Sequence, residues 1–445
     1  MITVVPEEPY RKPRVSWRHL APLFCIIVVI LIGSSTSLCK ARPVGSPKRF
    51  RATPGLNAVF GRSGQPVNWV FQARGSISSS PLVVGDTVYL TSNGRRVYSL
   101  KLDNGALIWK YRALSEVMTQ PLLAGSTLII ATGNAKVVAY RPTHEVILGV
   151  GINEIVGLSV HTGNSVWSLG LAGTGMPTGI IVGGTFYHID GSGELLAVRA
   201  ESGRYLWREN VMSTAFMTSI NYDNGIFYTA GNWPNRVIAF NSKGRLVWSH
   251  KFSAKFSGFS DGPLAISNGL VYGVYMENTP SERYVSDLQP AIEHVYALSL
   301  RTGRLRWDTK VAKGIVPPYN MSSIPLASHN SIIVGSPVSP FVSSINARTG
   351  KLMWKLKVGG PVKNGPVELD GIIYFGDLHG DLFAVNEITG EPIGCVHMND
   401  GFNVGSAVIS RGSLIIGSLS GKVYALPLAR IRTSHECTAS LTNIP

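Results

Sequence analysis

The stretch "GDLHGDLFAV", from Gly376, sets Asp377, His379 and Asp381 at alternate positions. Two carboxylates and an imidazole so spaced are groups that a divalent cation accepts as ligands. Two other stretches align with it, "DGSGELLAV" from Asp190 and "GSLSGKVYAL" from Gly417, and they put Ser192 and Ser420 where His379 stands. A position that holds Ser twice and His once reads as an inter-strand turn, where short polar side chains bond their own backbone. No metal site is expected there. The remaining histidines, such as His144, His161 and His329, are scattered without ligand spacing.

The four cysteines narrow the chemistry further. Cys25 lies within an apolar run and Cys39 at its edge, which leaves Cys395 and Cys437 in the body of the chain. Nothing beside these two marks a site that stabilises a thiolate. In an oxidising compartment they could pair and tie the C-terminal tail to the segment holding Cys395; two unpaired thiols is the alternative.

The residues that recur most regularly do a structural job. Gly is followed four residues later by Trp at Gly105/Trp109, Gly163/Trp167, Gly203/Trp207, Gly244/Trp248, Gly303/Trp307 and Gly350/Trp354. Chance placement would give about one such pair in a chain of this composition. A further copy, "EITGEPIG", keeps Gly390 but has Gly394 in the Trp position. Six residues before each glycine sits Ser99, Gly157, Ala197, Ala297, Ser344 or Ala384, with Ile238, next to Ala239, the one misfit. Small residues there leave room for an indole against a neighbouring backbone.

Upstream of each Gly/Trp unit the chain repeats an apolar run, a glycine turn, an alternating β-branched or aromatic run, a polar turn and another run. "SPLVVGDTVYLTSNGRRVYSL" from Ser80 and "GPVELDGIIYFGDLHGDLFAV" from Gly365 align position by position. Three short strands followed by the Trp-bearing strand make a four-stranded antiparallel blade. Trp109, Trp167, Trp207, Trp248, Trp307, Trp354 and Gly394 end seven blades. The copy from Gly405 to Leu426 has three strands and no fourth, whereas Trp69, in "GQPVNWVF", is a fourth strand with no preceding three. Joining them predicts an all-β, eight-bladed β-propeller whose N-terminal strand completes the C-terminal blade and removes the open edge of a linear array.

Composition agrees: 44% hydrophobic, 15% charged and 48 glycines describe strands and turns, not disorder or coiled coil. The formal charge of +15 divides nearly evenly, because residues 1–51 hold nine Lys/Arg against two Asp/Glu. The remainder is mildly basic and has no cationic run interleaved with aromatics, so nucleic acid is not an expected partner. Residues 1–40 read as a signal peptide or N-terminal membrane anchor: Arg11, Lys12, Arg14 and Arg18 precede the apolar "APLFCIIVVILIG". Either use exports the propeller to an extracytoplasmic site, periplasmic or cell-surface. "TSLC" ending at Cys39 resembles a lipobox, with Leu38 where a small residue is expected. Residues 41–59 read as a linker, 60–427 as the propeller and 428–445 as a tail.

The pattern small-x-x-x-x-[TS]-G-x-x-x-W, as in "ALSLRTGRLRW" from Ala297, resembles the tryptophan-docking repeat of the pyrroloquinoline-quinone (PQQ) type propellers. The resemblance implies structural, docking roles for Trp69, Trp109, Trp167, Trp207, Trp248, Trp307 and Trp354. It implies two trades: oxidation of alcohols or sugars with PQQ and Ca²⁺, or a non-catalytic, BamB-like scaffold of outer-membrane assembly. The enzymes stack PQQ beneath a disulfide of adjacent cysteines, and no two cysteines here are adjacent; a haem-binding C-x-x-C-H is also absent. The scaffold, without cofactor, is the expectation, and a divergent quinoprotein dehydrogenase the alternative.

Departures from the repeat then locate a binding face. Trp109 to Trp167 spans 58 residues and Trp248 to Trp307 spans 59, against 40 or 41 in regular blades. The excess falls between second and third strands, with a smaller one around "KGIVPPYNMSS", and these connections emerge on one face. Insertions on one face of a repeat fold mark a binding face. Trp233, Tyr284 and Tyr319 are the expected anchors for an envelope protein partner. The same loops could instead pack on one another, or line a small-molecule pocket.

Overall fold

The computed structural model describes residues 51–52, 59–60, 64–134, 136, 138–140, 145–211, 215, 217–232, 234–253, 256–258, 262–278, 290–315 and 323–442. Eight antiparallel four-stranded sheets follow one another along the chain as the blades of a propeller. Each begins with a three-residue inner strand, from Leu82–Val84 in the first blade to Val408–Ser410 in the eighth. Two-residue turns lead to the second strand, and Asn224–Gly225 and Asp370–Gly371 both take positive φ, as a type I′ hairpin requires. Second strands such as Thr127–Ala131 and Thr185–Ile189 are buried along their whole length, which is why they read as continuous apolar runs.

The Gly/Trp repeat is explained by the contact between neighbouring blades. Each Trp pairs across its own sheet with the small residue: Trp109 with Ser99, Trp207 with Ala197, Trp307 with Ala297, Trp354 with Ser344. Trp248 pairs with Ala239, not Ile238, because the turn after it closes one residue sooner, Gly244 N–H donating to Asn241. The apparent misfit is therefore a shortened turn.

The indole then reaches into the next blade. Trp69, Trp109, Trp207, Trp248, Trp307 and Trp354 donate to the backbone oxygens of Leu102, Val160, Ser242, Leu300, Ala347 and Glu387, at 2.7 to 3.0 Å. The glycine of that next blade lies under the ring, so that a Cβ on Gly163 would stand 2.5 Å from the Trp109 indole. Gly163 also has φ +71, so both the turn and the docking need glycine. Trp167 departs: its N–H is buried without a partner, and its ring takes the space that a Cβ on Gly157 would need.

Closure follows the expected scheme. Trp69–Gln72 pairs antiparallel with Lys422–Pro427, Trp69 opposite Ala425, and completes the eighth blade. Part of the segment read as a linker also joins the fold. Arg51–Ala52 pairs with the inner strand of the fourth blade and Val59–Phe60 with that of the eighth.

The seventh blade, which lacks its Trp, is finished by the tail. Gly394 faces the backbone of the helix Leu428–Thr433, whose Ile431 oxygen would stand 2.4 Å from a Cβ there. Arg432 donates to the Tyr374 hydroxyl at 2.5 Å, on the aromatic position that meets Trp in other blades. Beyond the helix the structure joins Cys395 and Cys437 in a disulfide. The tail ends as Ser440–Leu441, a fifth strand on the outer edge of the sixth blade.

Candidate functional site

The aspartates of the "GDLHGDL" turn are consumed by the turn itself. Asp377 accepts from the backbone N–H of His379 and Asp381 through one oxygen and from Gly360 through the other, at 2.8 to 3.0 Å. Asp190 does the same with Ser192, Glu194 and Gly173. Burial pushes the Asp377 carboxyl up, and the backbone donors offset part of that. Asp381 is held by His397 at 2.6 Å, while His379 points to solvent. Among the described residues no cluster of His, Cys, Asp and Glu could hold a metal ion.

The expected partner-face residues Trp233, Tyr284 and Tyr319 lie outside the described residues, as do Cys25, Cys39 and the N-terminal segment. The insertions themselves are partly described. That of the second blade is pinned to the third, Ile147 N–H donating to Gly191 and Thr174 N–H to Ile147, both at 2.8 Å. In the fifth blade the insertion prolongs the strands Leu270–Asn278, Pro290–Ser299 and Leu305–Ile315.

Those longer strands carry a polar network absent from the sequence reading. His294, buried, meets Asp308 at 2.7 Å and the Tyr275 hydroxyl at 3.0 Å through Nδ1, and Glu277 at 3.1 Å through Nε2. Tyr275 donates to Asp308 at 2.5 Å, and Lys310 pairs with Glu277. Burial and the carboxylates push the Tyr275 phenol up. The side chains form one continuous hydrogen-bonded chain from Tyr275 through His294 to Glu277. Two further buried groups stand apart: His188, with neither ring nitrogen bonded, and Glu293, with one carboxyl oxygen unbonded.

A second feature repeats around the rim. Arg204, Arg245, Arg304 and Lys351 each follow the turn glycine on four consecutive blades, all exposed. Behind each cation stand exposed apolar side chains: Tyr205 and Leu206, Leu246 and Val247, Leu305, Met353. Leu246 is 57% and Val247 49% exposed, although they flank the docked Trp248. The alternation that buries Trp leaves its neighbours outward where the blades diverge.

A third feature lies on the axis, where the segments preceding the inner strands surround a cavity of about 30 Å³. Ser80, Gln120, Thr178 and Ser219 line it, with Met118, Met176 and Met217. Among the described residues the lining offers no carboxylate for a Ca²⁺ ion and room for only a water or two, which does not suit a quinone cofactor with Ca²⁺ in this cavity.

Eight blades, seven of them Trp-docked, closed by an N-terminal strand define a PQQ-like β-propeller. The family model described as outer membrane protein assembly factor BamB matches in three overlapping stretches, residues 56–221, 151–314 and 291–432, and the chain belongs to that family. The structure of BamB from Moraxella catarrhalis superposes with a TM-score of 0.58 at 16% identity, over 80% of this chain and 97% of that one. The tetrathionate hydrolase of Acidithiobacillus ferrooxidans is 24% identical over 79% of this chain and 72% of its own. A polyvinylalcohol dehydrogenase from a Pseudomonas species is 23% identical over 72% of this chain, which spans only 51% of that enzyme.

Proposed function

We propose that the protein is an exported, non-catalytic scaffold that holds an envelope protein on its rim. The observation that carries this is the cation followed by exposed apolar side chains at one station of four consecutive blades. Exposed apolar residues gathered beside charge mark interaction sites, and the positive sign calls for an acidic, apolar partner surface. The membership in the BamB family and the likeness to BamB support the same reading. Trp233, Tyr284 and Tyr319 in the inserted segments are the second contact surface.

Paired variants separate the two surfaces. Arg245→Glu with Val247→Asp should abolish co-purification of the envelope partner while the β-type circular dichroism stays unchanged, and Trp233→Ala with Tyr319→Ala should weaken it. Undiminished co-purification from the first pair would sink the rim as the contact.

A catalytic reading has its own support in the Tyr275, His294, Asp308 and Glu277 network and in the likeness to a tetrathionate hydrolase. In that reading the network supplies general acid and base to an inorganic sulfur-chain substrate. Incubating the purified chain with tetrathionate decides it: turnover lost in His294→Gln would make the protein a hydrolase, and no turnover leaves the scaffold.

A further inference from the structure

The axial cavity holds a pattern that neither use of the propeller requires. In the first four blades and the eighth, the residue four positions before the inner strand lines this cavity. In the second, third and fourth blades that residue is Met118, Met176 and Met217, in "MTQP", "MPTG" and "MTSI". In the first and eighth it is Ser78 and Val404. Consecutive blades of an eight-bladed ring are turned by about 45° from one another. Identical stations on three consecutive blades therefore bring three thioethers to one side of one cavity, and all three line it.

The polar group beside them is unusual too. Gln120 is 2% exposed and lines the same cavity, yet neither its side-chain oxygen nor its nitrogen has a hydrogen-bond partner in the protein. Leaving both ends of a buried amide unpaired is costly unless something in the cavity meets them. Thr178 and Ser219 complete a neutral oxygen-bearing wall. The space, about 30 Å³, suits a single ion or a water or two, not an organic ligand.

We propose that Met118, Met176 and Met217 form a three-thioether site for a soft monovalent cation, Cu(I), in the axial cavity, with the Gln120 amide facing it. Thioethers are soft ligands that select Cu(I) and bind Mg²⁺ or Ca²⁺ poorly, and among the described residues the lining holds no carboxylate that would favour a divalent ion. Binding here is ligation alone, so no electron or proton is transferred.

The test uses the full chain with Cys25→Ser and Cys39→Ser, so that no free thiol competes. It is titrated without oxygen with Cu(I) against the chromophoric chelator bicinchoninate. One Cu(I) per chain is expected, with an all-sulfur first shell dominant in X-ray absorption. Each single Met→Leu change, which nearly conserves volume, should weaken binding at least tenfold, and the triple variant should take none. No copper drawn from the chelator would overturn the site, as would equal binding by a correctly folded triple variant.

Discussion

At the residue scale, the buried ionisable groups set how the fold answers to pH. Burial drives the His188 imidazole down to about 3, so the folded protein keeps it neutral where the unfolded chain would protonate it. Its contribution is intact above about 6.5 and is lost as pH falls from there toward 3. Glu293 is the reverse case: burial lifts its carboxyl to about 8, so stability drains away as pH rises from the unfolded value near 4.5 through 8. His188→Leu, matching Leu90 and Ile130 at the same strand position, should flatten the acid limb of denaturant midpoints. Glu293→Gln should flatten the limb between pH 5 and 8, and unchanged limbs would refute the assignments. Trp109→Ala should cost about 3–5 kcal/mol in urea unfolding, through lost burial and a lost interblade bond. The docking tryptophans were legible in the sequence because a local spacing repeats. The three axial methionines were equally visible in print, yet their meeting depends on the ring bringing the same station of successive blades together.

At the element scale, what the sequence revealed and what it hid divide by range of pairing. Whole blades announce themselves through four runs and three turns, and Trp69 could be recognised as a stray fourth strand. Two-residue strands carry no such signal, so Arg51–Ala52, Val59–Phe60 and Ser440–Leu441 emerged only from long-range pairing. The missing seventh Trp was readable as Gly394, but its replacement by the backbone of Leu428–Thr433 was not, since a six-residue helix has no periodicity to detect. Deleting residues 64–72 should lower the melting temperature of the whole body, because the eighth blade loses its outer strand. A melting curve that did not move would mean that Trp69 does not close the ring. Cys437→Ser opens a bridge between positions 42 residues apart and should destabilise the seventh blade and tail by about 2–4 kcal/mol. Hydrogen exchange confined to residues 392–442 would locate that loss.

At the scale of the whole molecule, a ring closed by its N-terminal strand and strapped by its tail is a rigid body with repeated stations. The tail runs from the eighth blade over the seventh to the edge of the sixth, while blades three to six present their cation-and-apolar stations openly. Rigidity of this kind suits presentation of a surface, because little ordering is lost when a partner binds. The most direct measurement places a photo-activated cross-linking residue at Val247, Leu206 or Leu305 of the protein in its native cells. One discrete adduct, the same at all three positions and abolished by Arg245→Glu, is the predicted result. Absence of adducts at these stations, with an adduct forming instead from position 233, would contradict the rim as the docking surface.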